Sequence, residues 1–363
     1  MVDIVVEEMS QREVSVKQPG ASKLAREQTI NLKAGTFRRR KNLRAMGVRG
    51  AARAAWAKLI FEGAFPVFER LGLHVLPIHF YSPVPDTRQL RRNFERWHRE
   101  LSFTGIDIDV EQQRRLVKEL AAFASEFDSL PPEEEVVSRG YGEGYGEVAS
   151  RVLHAMLRML KPRVLIEVGS GVSTFFSANA LSINRHQDGV EGQMVCIEPY
   201  PHRALGTLPT ITGVPIEVIA KPVQDVELSL FQRLDEGDVL FIDSSHVSKL
   251  DSDVDRIYLE IIPSLRPGVF IHVHDIPFPY LTPNPRHWVF KKHRFWNEAS
   301  LLYAFLSYNP VFKIALSLSY LHYKNSDALR ALPGYDPALH EPSSIWLQRL
   351  SDGQHPNGQH RER

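Results

Sequence analysis

The sequence predicts an α/β protein with a mostly parallel, seven-stranded sheet, helices on both faces of the sheet and a helical N-terminal extension. Two observations support this fold class. From residue 163 onward, short apolar runs alternate with stretches of helical periodicity, as in strands joined by right-handed crossovers. The last two apolar runs lack a clear intervening helix, so we expect them to form an antiparallel pair at one edge of the sheet.

The predicted strands are short runs rich in β-branched and other apolar residues. They cover residues 164–168, 194–197, 216–219, 239–242, 269–273, 312–318 and 345–347. No internal repeat is visible, so these strands are expected to form one sheet rather than a repeated unit.

Two amphipathic helices are predicted ahead of the sheet, over residues 111–129 and 147–160. In each, apolar side chains recur at spacings of three or four residues, which places them on one face of the helix. These positions are Leu116, Leu120, Phe123 and Phe127 in the first helix, and Val148, Val152, Met156 and Met159 in the second.

Composition divides the chain into four segments. Residues 1–36 are polar without a sustained period and are interpreted as a mobile arm. Residues 37–135 are a mainly helical extension, residues 136–349 are the main domain and residues 350–363 are a polar, disordered tail. A length of 363 residues allows one large domain with additions, or two domains.

The net charge of +1 conceals an asymmetry, because residues 1–60 hold 13 Lys and Arg against 5 Asp and Glu. Residues 37–58 contain basic residues and no acid. This segment could be a helix that touches an anionic membrane surface. We favour the alternative of a solvated helical extension, and we expect no specific nucleic-acid partner.

Cys196 is the single cysteine, which excludes an intramolecular disulfide and a four-cysteine zinc site. Residues 1–30 have no apolar core of a signal peptide, and no stretch reaches the roughly 18 apolar residues of a membrane span. We therefore expect a cytoplasmic protein. With 43% hydrophobic residues, a disordered or fibrous chain is excluded.

A glycine-containing turn follows the first predicted strand. Gly169 and Gly171 would let the backbone approach a ligand closely, and the next helix offers unpaired N–H groups. Ligands of open parallel sheets bind at the carboxyl ends of the strands. Thr174 stands where a dinucleotide fingerprint has Gly or Ala, and a tight turn without a ligand is the alternative.

Polar residues also follow the second and third strands. Glu198 could accept hydrogen bonds from two ribose hydroxyls, which favours a nucleoside ligand, although an N-cap or a solvated acid is the alternative. Gln224 and Asp225 could contact an adenine amino group, or they could simply begin a helix. Combined with the glycine turn, Glu198 predicts nucleoside binding.

A cluster of histidines and carboxylates follows the fourth and fifth strands. Asp243, His274 and Asp275 are candidate ligands for one divalent cation such as Mg²⁺. His246 is a candidate general base because the pKa of imidazole lies near neutrality. A structural role for Asp243 and for the histidines is the alternative.

Two further regions are candidates for contact with a substrate. Trp296 could wall an acceptor pocket to which Asn297 and Glu298 add polar contacts, whereas ordinary packing at the start of a helix is the alternative. Tyr141 lies in the glycine-rich stretch 138–146, which could form a lid or a plain connector.

The run from residue 163 to 347 resembles the class I S-adenosylmethionine-dependent methyltransferases, which have a Rossmann-like fold. More narrowly, it resembles a bacterial subgroup of small-molecule O-methyltransferases that modify sugars or natural products. The residues that carry this resemblance are the glycine turn, Glu198 and the runs 240–249, 271–276 and 295–298. With the proline-rich stretch 79–83, it covers about 290 residues.

The resemblance implies a role for each part of the predicted site. Gly169, Ser170, Gly171 and Ser173 would pass the methionine part of S-adenosylmethionine with Glu167 beneath it, and Glu198 would hold the ribose. Asp243 would adjoin the cofactor and, with His274 and Asp275, bind Mg²⁺. His246 would take the proton of the acceptor hydroxyl. His274 stands where such enzymes often have an acid.

We therefore expect S-adenosylmethionine-dependent O-methylation of a small-molecule acceptor, with Mg²⁺ as an additional cofactor. One alternative is an NAD(P)-dependent oxidoreductase, which would share the glycine turn and Glu198 but leaves Asp243 and His246 without a role. Another is a non-catalytic, nucleoside-binding scaffold whose basic arm carries the function. Assembly into a homo-oligomer is left open.

Overall fold

A computed structural model describes residues 55–56, 58–142 and 144–351 of the protein. The predicted arm 1–36, nearly all of the basic segment 37–58 and nearly all of the predicted tail 350–363 lie outside the described residues. The predictions for them therefore stay predictions.

The chain divides into two compact units, Met1–Asp86 and Thr87–Arg363. In the described part of the first unit, a wide helical turn over Leu59–Ala64 leads into helix α1 (Phe65–Arg70). The proline-rich stretch that follows returns to this helical segment, since the rings of Phe61 and His79 meet edge-on at 5.4 Å. A helical element is thus present in the predicted N-terminal extension.

The second unit contains a seven-stranded sheet. Its strands are β1 (Val164–Val168), β2 (Gln193–Ile197), β3 (Ile216–Ile219), β4 (Val239–Ile242), β5 (Phe270–His274), β6 (Phe312–Ser317) and β7 (Ser344–Arg349). The spatial order is β3-β2-β1-β4-β5-β7-β6. The first five strands are parallel, and β7 runs antiparallel to both β5 and β6. This confirms the predicted mostly parallel sheet with a terminal antiparallel pair.

The register brings the chemistry-bearing residues to one edge of the sheet. Val168, the last residue of β1, lies opposite Ile242, the last residue of β4. Beyond these ends, the Asp243 N–H still donates to the Val168 carbonyl at 2.9 Å. Residues that follow β1, β4 and β5 therefore start from neighbouring points at the carboxyl edge.

Helices of the second unit lie before the first strand and between the later strands. They are α2 (Thr87–Arg92), α3 (Phe94–Trp97), α4 (Val110–Leu120), α5 (Ala124–Asp128), α6 (Glu133–Ser138), α7 (Glu147–Leu160), α8 (Val172–Asp188), α9 (Leu208–Thr212), α10 (Leu228–Phe231), α11 (Asp253–Arg256), α12 (Ile262–Ser264), α13 (Glu298–Leu306), α14 (Leu318–Lys324) and α15 (Ser326–Leu329). The turn Ile257–Ile261 joins α11 to α12 without a break.

The two predicted amphipathic helices have different outcomes. The second is α7, whose bounds match the prediction and whose Val148, Val152 and Met156 are buried. The first is corrected: the region 111–129 holds α4, a tighter turn over Ala121–Phe123, and then α5. The tighter turn interrupts the regular α-helical hydrogen bonding, while all four predicted apolar positions pack in or against one core layer.

Two apolar layers cover the two faces of the sheet. Alternate residues of each strand enter different layers, as the pleat requires: Leu165 joins the layer that holds α7 and α8, whereas Ile166 joins the layer that holds α11 and α13. Helices therefore pack on both faces, as predicted. None of the helices in the described part of the chain has the length and apolar character needed to cross a membrane.

Candidate active site

A cavity of about 1050 Å³ lies at the carboxyl ends of β4 and β5. Its walls come from segments far apart in the sequence, and part of the lining is strongly polar. Among the described residues, the lining consists of 144–149, 243–247, 274–275, 287–288, 292–296 and 339–343. Asp243, His246, His274 and Asp275, predicted from separate strand ends, thus share one cavity.

These four side chains form a compact quartet. The Nε2 atom of His246 lies 3.5 Å from Asp243 Oδ1 and 3.5 Å from Asp275 Oδ2. The Nδ1 atom of His274 lies 3.6 Å and 3.8 Å from the same two oxygens. Two imidazoles and two carboxylates thus alternate around one small space, in which each positive charge would face two negative ones.

The electrostatics of the quartet favour protonated imidazoles. Burial by itself would lower the pKa of His246, but hydrogen bonds to Asp243 and Glu298 raise that pKa well above its usual value. Burial also opposes protonation of His274, but the carboxylates of Asp275 and Asp243 raise its pKa to about 9. Burial would raise the pKa of Asp243, yet the two histidines hold it well below the usual range.

The donor set does not fit Mg²⁺. Magnesium prefers oxygen ligands in an octahedral arrangement, whereas two of the four converging groups are imidazoles, which offer nitrogen. Across residues 55–351, as far as they are described, no group of three or more His, Cys, Asp and Glu could hold a metal ion. The predicted Mg²⁺ site at Asp243, His274 and Asp275 is therefore not supported.

His246 is held by the start of α13. Its Nδ1 lies 2.7 Å from Glu298 Oε2, and its backbone carbonyl accepts from the N–H groups of Asn297 and Glu298 at 3.0 and 3.2 Å. The ring of Trp296 lies 4.7 Å from the imidazole. His246 itself has a φ of 61°, an uncommon left-handed conformation of the kind that concentrates at functional sites.

The three residues 296–298, which were predicted to contact the acceptor, therefore differ in whether they line the cavity. Trp296 lines the cavity, but Asn297 and Glu298 are not among its described lining residues. The Asn297 side chain accepts from the Ser248 N–H at 2.7 Å, so it ties down the loop after β4. Tyr141 is buried away from the cavity, with its hydroxyl 3.4 Å from Thr207 Oγ1.

The glycine turn after β1 is tightly packed against β4. At Gly169, φ is 99° and a Cβ atom would lie 2.5 Å from the Asp243 carbonyl oxygen, so the backbone requires glycine. Thr174 Oγ1 accepts from the Gly171 N–H at 2.9 Å and caps α8. The buried Oγ of Ser170 has no hydrogen-bond partner among the described residues, which leaves a polar atom for a ligand.

Glu167 is fully buried beneath this turn. Its carboxylate accepts from Ser173 Oγ at 2.6 Å, and burial raises its pKa to about 8. Glu167 and Ser173 are thus paired with each other, which fixes the first turn of α8 beside the strand end.

The other predicted nucleoside contacts lie outside the described lining of the cavity. Glu198 is half-buried at the end of β2, and one of its carboxylate oxygens accepts from the Tyr200 N–H at 2.8 Å. Gln224 donates to the Asp251 carbonyl at 2.9 Å, and Asp225 is exposed in the short helix Val223–Asp225. Asp243 is the predicted cofactor residue that lines the cavity.

Tyr145 is a site residue that the sequence reasoning missed. It lines the cavity, and its ring stacks on His274 at 4.5 Å. Its hydroxyl lies 2.6 Å from His272 Nε2, while the His272 Nδ1–H faces the Ile345 carbonyl. Burial lowers the pKa of His272 to about 3, so this histidine is neutral and structural. Gly144 and Gly146 flank this tyrosine, and they were the feature of the sequence that could have indicated its constrained position.

Ser343 was missed as well, and no local pattern marks it. Its hydroxyl donates to Asp275 Oδ1 at 2.8 Å and leaves Oδ2 directed at the two histidines. Asp275 has a φ of 55°, so the backbone is unusual on this side of the quartet too.

Known proteins resemble the part of the chain that contains the glycine turn and the quartet. Residues 166–276 match a family model described as a methyltransferase domain. The match spans the glycine turn, Glu198 and the quartet, and it confirms the resemblance to class I methyltransferases in this part of the chain. An uncharacterised protein of Archaeoglobus fulgidus is 29% identical over 187 residues, which are 49% of this chain and 81% of that protein.

Several solved structures are distantly similar. An O-methyltransferase from Bacillus cereus in complex with S-adenosylhomocysteine has 14% identity and a TM-score of 0.38, with 65% of this chain and 100% of that chain covered. A 1,6-didemethyltoxoflavin-N1-methyltransferase from Burkholderia thailandensis has 13% identity and a TM-score of 0.33, with 68% and 94% covered. These similarities are too distant to indicate a substrate.

Proposed function

From the methyltransferase domain at residues 166–276, we propose that the protein transfers the methyl group of S-adenosylmethionine to a hydroxyl group of a small molecule. The observation that carries this proposal is the buried Glu298–His246 pair, which directs an imidazole nitrogen of the matched region into the cavity. A small-molecule acceptor fits because the cavity of about 1050 Å³ is close to the upper limit of the size range of such sites.

The cofactor would lie over the glycine turn. Ser170 Oγ is a buried, unpartnered polar atom there among the described residues, and the Glu198 carboxylate stands at the end of the neighbouring strand for the ribose hydroxyls. Bound S-adenosylmethionine supplies an electrophilic methyl group, whose transfer to the acceptor oxygen leaves S-adenosylhomocysteine. The protein must then align the hydroxyl and remove its proton.

His246 is the proposed general base. Glu298 accepts the proton of Nδ1, so Nε2 is the nitrogen available to the acceptor hydroxyl in the cavity. As the new C–O bond forms, the hydroxyl proton passes to Nε2, and the resulting imidazolium is stabilised by Glu298, Asp243 and Asp275. The same carboxylates favour the imidazolium before reaction, so deprotonation of His246 precedes each turnover.

No step of this mechanism requires Mg²⁺. The positive charges of the two imidazoles stand where the predicted cation would balance Asp243 and Asp275. His274 donates its Nε2–H to the Tyr145 carbonyl at 3.1 Å and keeps Nδ1 toward the carboxylates. We propose that His274 balances and orients the two carboxylates around His246.

Cofactor titration tests the proposal first. Purified full-length protein is titrated with S-adenosylmethionine, S-adenosylhomocysteine and NAD(H), and we expect only the two sulfur nucleosides to bind. Glu198→Ala should weaken their binding by about tenfold or more, because a hydrogen-bonded charged group is removed. Glu217→Ala, at an exposed position of β3, is the matched control. Binding of NAD(H) alone would instead favour the oxidoreductase.

An acceptor screen follows with methyl-labelled cofactor and sugars, glycosides and phenols. Formation of a labelled ether together with one equivalent of S-adenosylhomocysteine would support O-methylation. A labelled amine or thioether product would contradict the hydroxyl acceptor while leaving methyl transfer in place. Cofactor binding without transfer to any acceptor would favour the non-catalytic scaffold.

A further inference from the structure

The cavity has a basic wall, defined here as Lys292, His293 and Arg294, that the proposed chemistry does not use. We infer that this wall binds a phosphate group carried by the methyl acceptor, so that the acceptor is an organic phosphate. This inference rests on the proposed function and names the substrate class for the same cavity.

The basic wall is part of a loop that is fixed by its own backbone. The Lys292 N–H donates to the His287 carbonyl and the Arg294 N–H to the Trp288 carbonyl, each at 2.9 Å. His293, between them, has a φ of 54° in the left-handed region. The three side chains of the basic wall therefore project from a hydrogen-bonded turn.

Aromatic rings connect the basic wall to the proposed base. The Arg294 guanidinium lies 5.3 Å from the Trp288 ring centre and 5.8 Å from that of Trp296. The Trp296 ring lies 4.7 Å from the His246 ring, so the guanidinium carbon is at most about 10.5 Å from the imidazole centre, since these two separations bound the third. One small molecule could therefore reach both groups.

Charge pairing leaves the basic wall open to an anion. In the described part of the chain, neither Lys292 nor Arg294 has a carboxylate within 4.0 Å, and both side chains are exposed. The acids of the quartet face histidines, Glu147 binds Arg151 at 3.1 Å, and Glu341, the remaining acid of the described lining, makes no ion pair with the basic wall.

A phosphate suits this arrangement better than a neutral group. Its several oxygens can accept from Lys, His and Arg at once, and charge-assisted hydrogen bonds of this kind are strong. The indoles of Trp288 and Trp296, whose centres lie 4.7 Å apart with the ring planes tilted by 32°, offer an apolar surface to the organic part of the acceptor. The phosphate would thus anchor one end of the molecule while a hydroxyl at the other end reaches His246.

The test is a calorimetric titration of the full chain with glucose 1-phosphate, methyl glucoside and inorganic phosphate, with and without saturating S-adenosylhomocysteine. We expect glucose 1-phosphate to bind more tightly than both other probes, and its affinity to fall as NaCl is raised. The double variant Lys292→Gln/Arg294→Gln should weaken that binding about tenfold or more, because charged hydrogen bonds are lost. Its affinity for S-adenosylhomocysteine should be unchanged.

Arg286→Gln/Lys291→Gln is the matched control, since it removes the same charges from exposed positions of this loop that are absent from the described cavity lining. The inference would be overturned if the control pair weakened the binding of glucose 1-phosphate as much as the test pair does. It would also be overturned if the wild type bound methyl glucoside or inorganic phosphate as tightly as glucose 1-phosphate, or did not bind glucose 1-phosphate at all. Failure of S-adenosylhomocysteine to bind would instead count against the proposed function, because the phosphate probes are also titrated without it.

Discussion

The Nδ1 atom of His246 lies 2.7 Å from the Oε2 atom of Glu298, whose side chain is almost completely buried. Ser244 Oγ donates to the same oxygen at 3.1 Å. An acid in this position fixes the tautomer and the orientation of an imidazole and stabilises its protonated form. We therefore propose that Glu298 acts on the acceptor through His246 and leaves Nε2, on the cavity side of the imidazole, for proton transfer.

Glu298→Gln tests this positioning role. The amide keeps the shape of the side chain but removes the charge, so we expect kcat/KM to fall by about a hundredfold, within the range of general-base effects. The pKa of His246 should also fall, because the carboxylate that raises it is lost. The acid limb of the pH–rate profile should therefore move to lower pH, a shift that merely structural damage would not produce.

The control for this variant is Glu341→Gln, which removes an acid that lines the cavity itself. It should leave the acid limb in place. If Glu298→Gln lost activity with an unshifted profile, Glu298 would be a packing residue and His246 would be tuned by other groups.

His246→Ala tests the base itself. We expect kcat to fall by at least about a hundredfold while the affinity for S-adenosylhomocysteine changes little, because His246 faces the acceptor cavity. In the wild type, kcat/KM should rise as the pH increases above neutrality, since the raised pKa keeps the imidazole protonated at lower pH. His186→Ala, at an exposed position on α8, is the control. Full turnover by His246→Ala would exclude the proposed role.

Metal removal tests whether the quartet supports methyl transfer without a bound cation. We expect equal initial rates of methyl transfer in excess EDTA and in added Mg²⁺, because two imidazoles already balance the carboxylates of Asp243 and Asp275. Rates are followed by S-adenosylhomocysteine release, and its affinity in EDTA checks that the cofactor site is intact. A rate lost in EDTA and restored by Mg²⁺ would show that the quartet binds the ion during turnover.

Much of the fold could be predicted from the sequence because buried parallel strands are short apolar runs with distinct ends. The predicted strands 216–219 and 239–242 coincide with β3 and β4. The quartet was accessible for the same reason: polar residues directly after neighbouring parallel strands must meet at one edge. The region 111–129 is helical with its predicted apolar positions on the core side, but a periodic pattern does not reveal the tighter turn at Ala121–Phe123 that divides it into α4 and α5.

The roles of loop residues were harder to predict from the sequence, because they depend on packing between distant segments. Glu298 and His246 are 52 positions apart, and nothing near Glu298 in the sequence indicates that it turns inward rather than toward the acceptor. Tyr145 and Ser343 reach the quartet in the same way, from opposite ends of the domain. Spacing patterns describe one element at a time, so they cannot assign such contacts.

Glu167 predicts a pH-dependent stability. Its pKa is about 8 in the folded protein and near the ordinary value of 4.5 when unfolded, so the folded state holds a proton more tightly. Its contribution to stability is complete below pH 4.5 and is lost as the pH rises toward and through 8. Glu167→Gln lacks this titration, so it should gain in unfolding free energy relative to the wild type between pH 4.5 and 8.

The measurement is urea unfolding of the cofactor-free protein at several pH values. Glu191→Gln, an exposed acid near β2, should track the wild type across the same range. A constant difference in unfolding free energy between Glu167→Gln and the wild type would mean that the pKa of Glu167 is the same in both states.

Gly169→Ala separates the two costs of a side chain at the turn after β1. At φ 99° an alanine is strained, and its Cβ would also lie 2.5 Å from the Asp243 carbonyl oxygen. Gly189→Ala is the matched control, because φ is 68° there and no atom lies within 4 Å of the added Cβ. We expect the control to cost about 1 kcal/mol of unfolding free energy from strain alone, and Gly169→Ala about 3 kcal/mol or more.

Relief of the clash must also move Asp243, so Gly169→Ala should lower kcat even in molecules that remain folded, whereas Gly189→Ala should not. Equal losses of stability in the two variants would show that the β1 turn can shift away from β4 at little cost, and that the close approach of Gly169 to Asp243 does not set the position of the quartet.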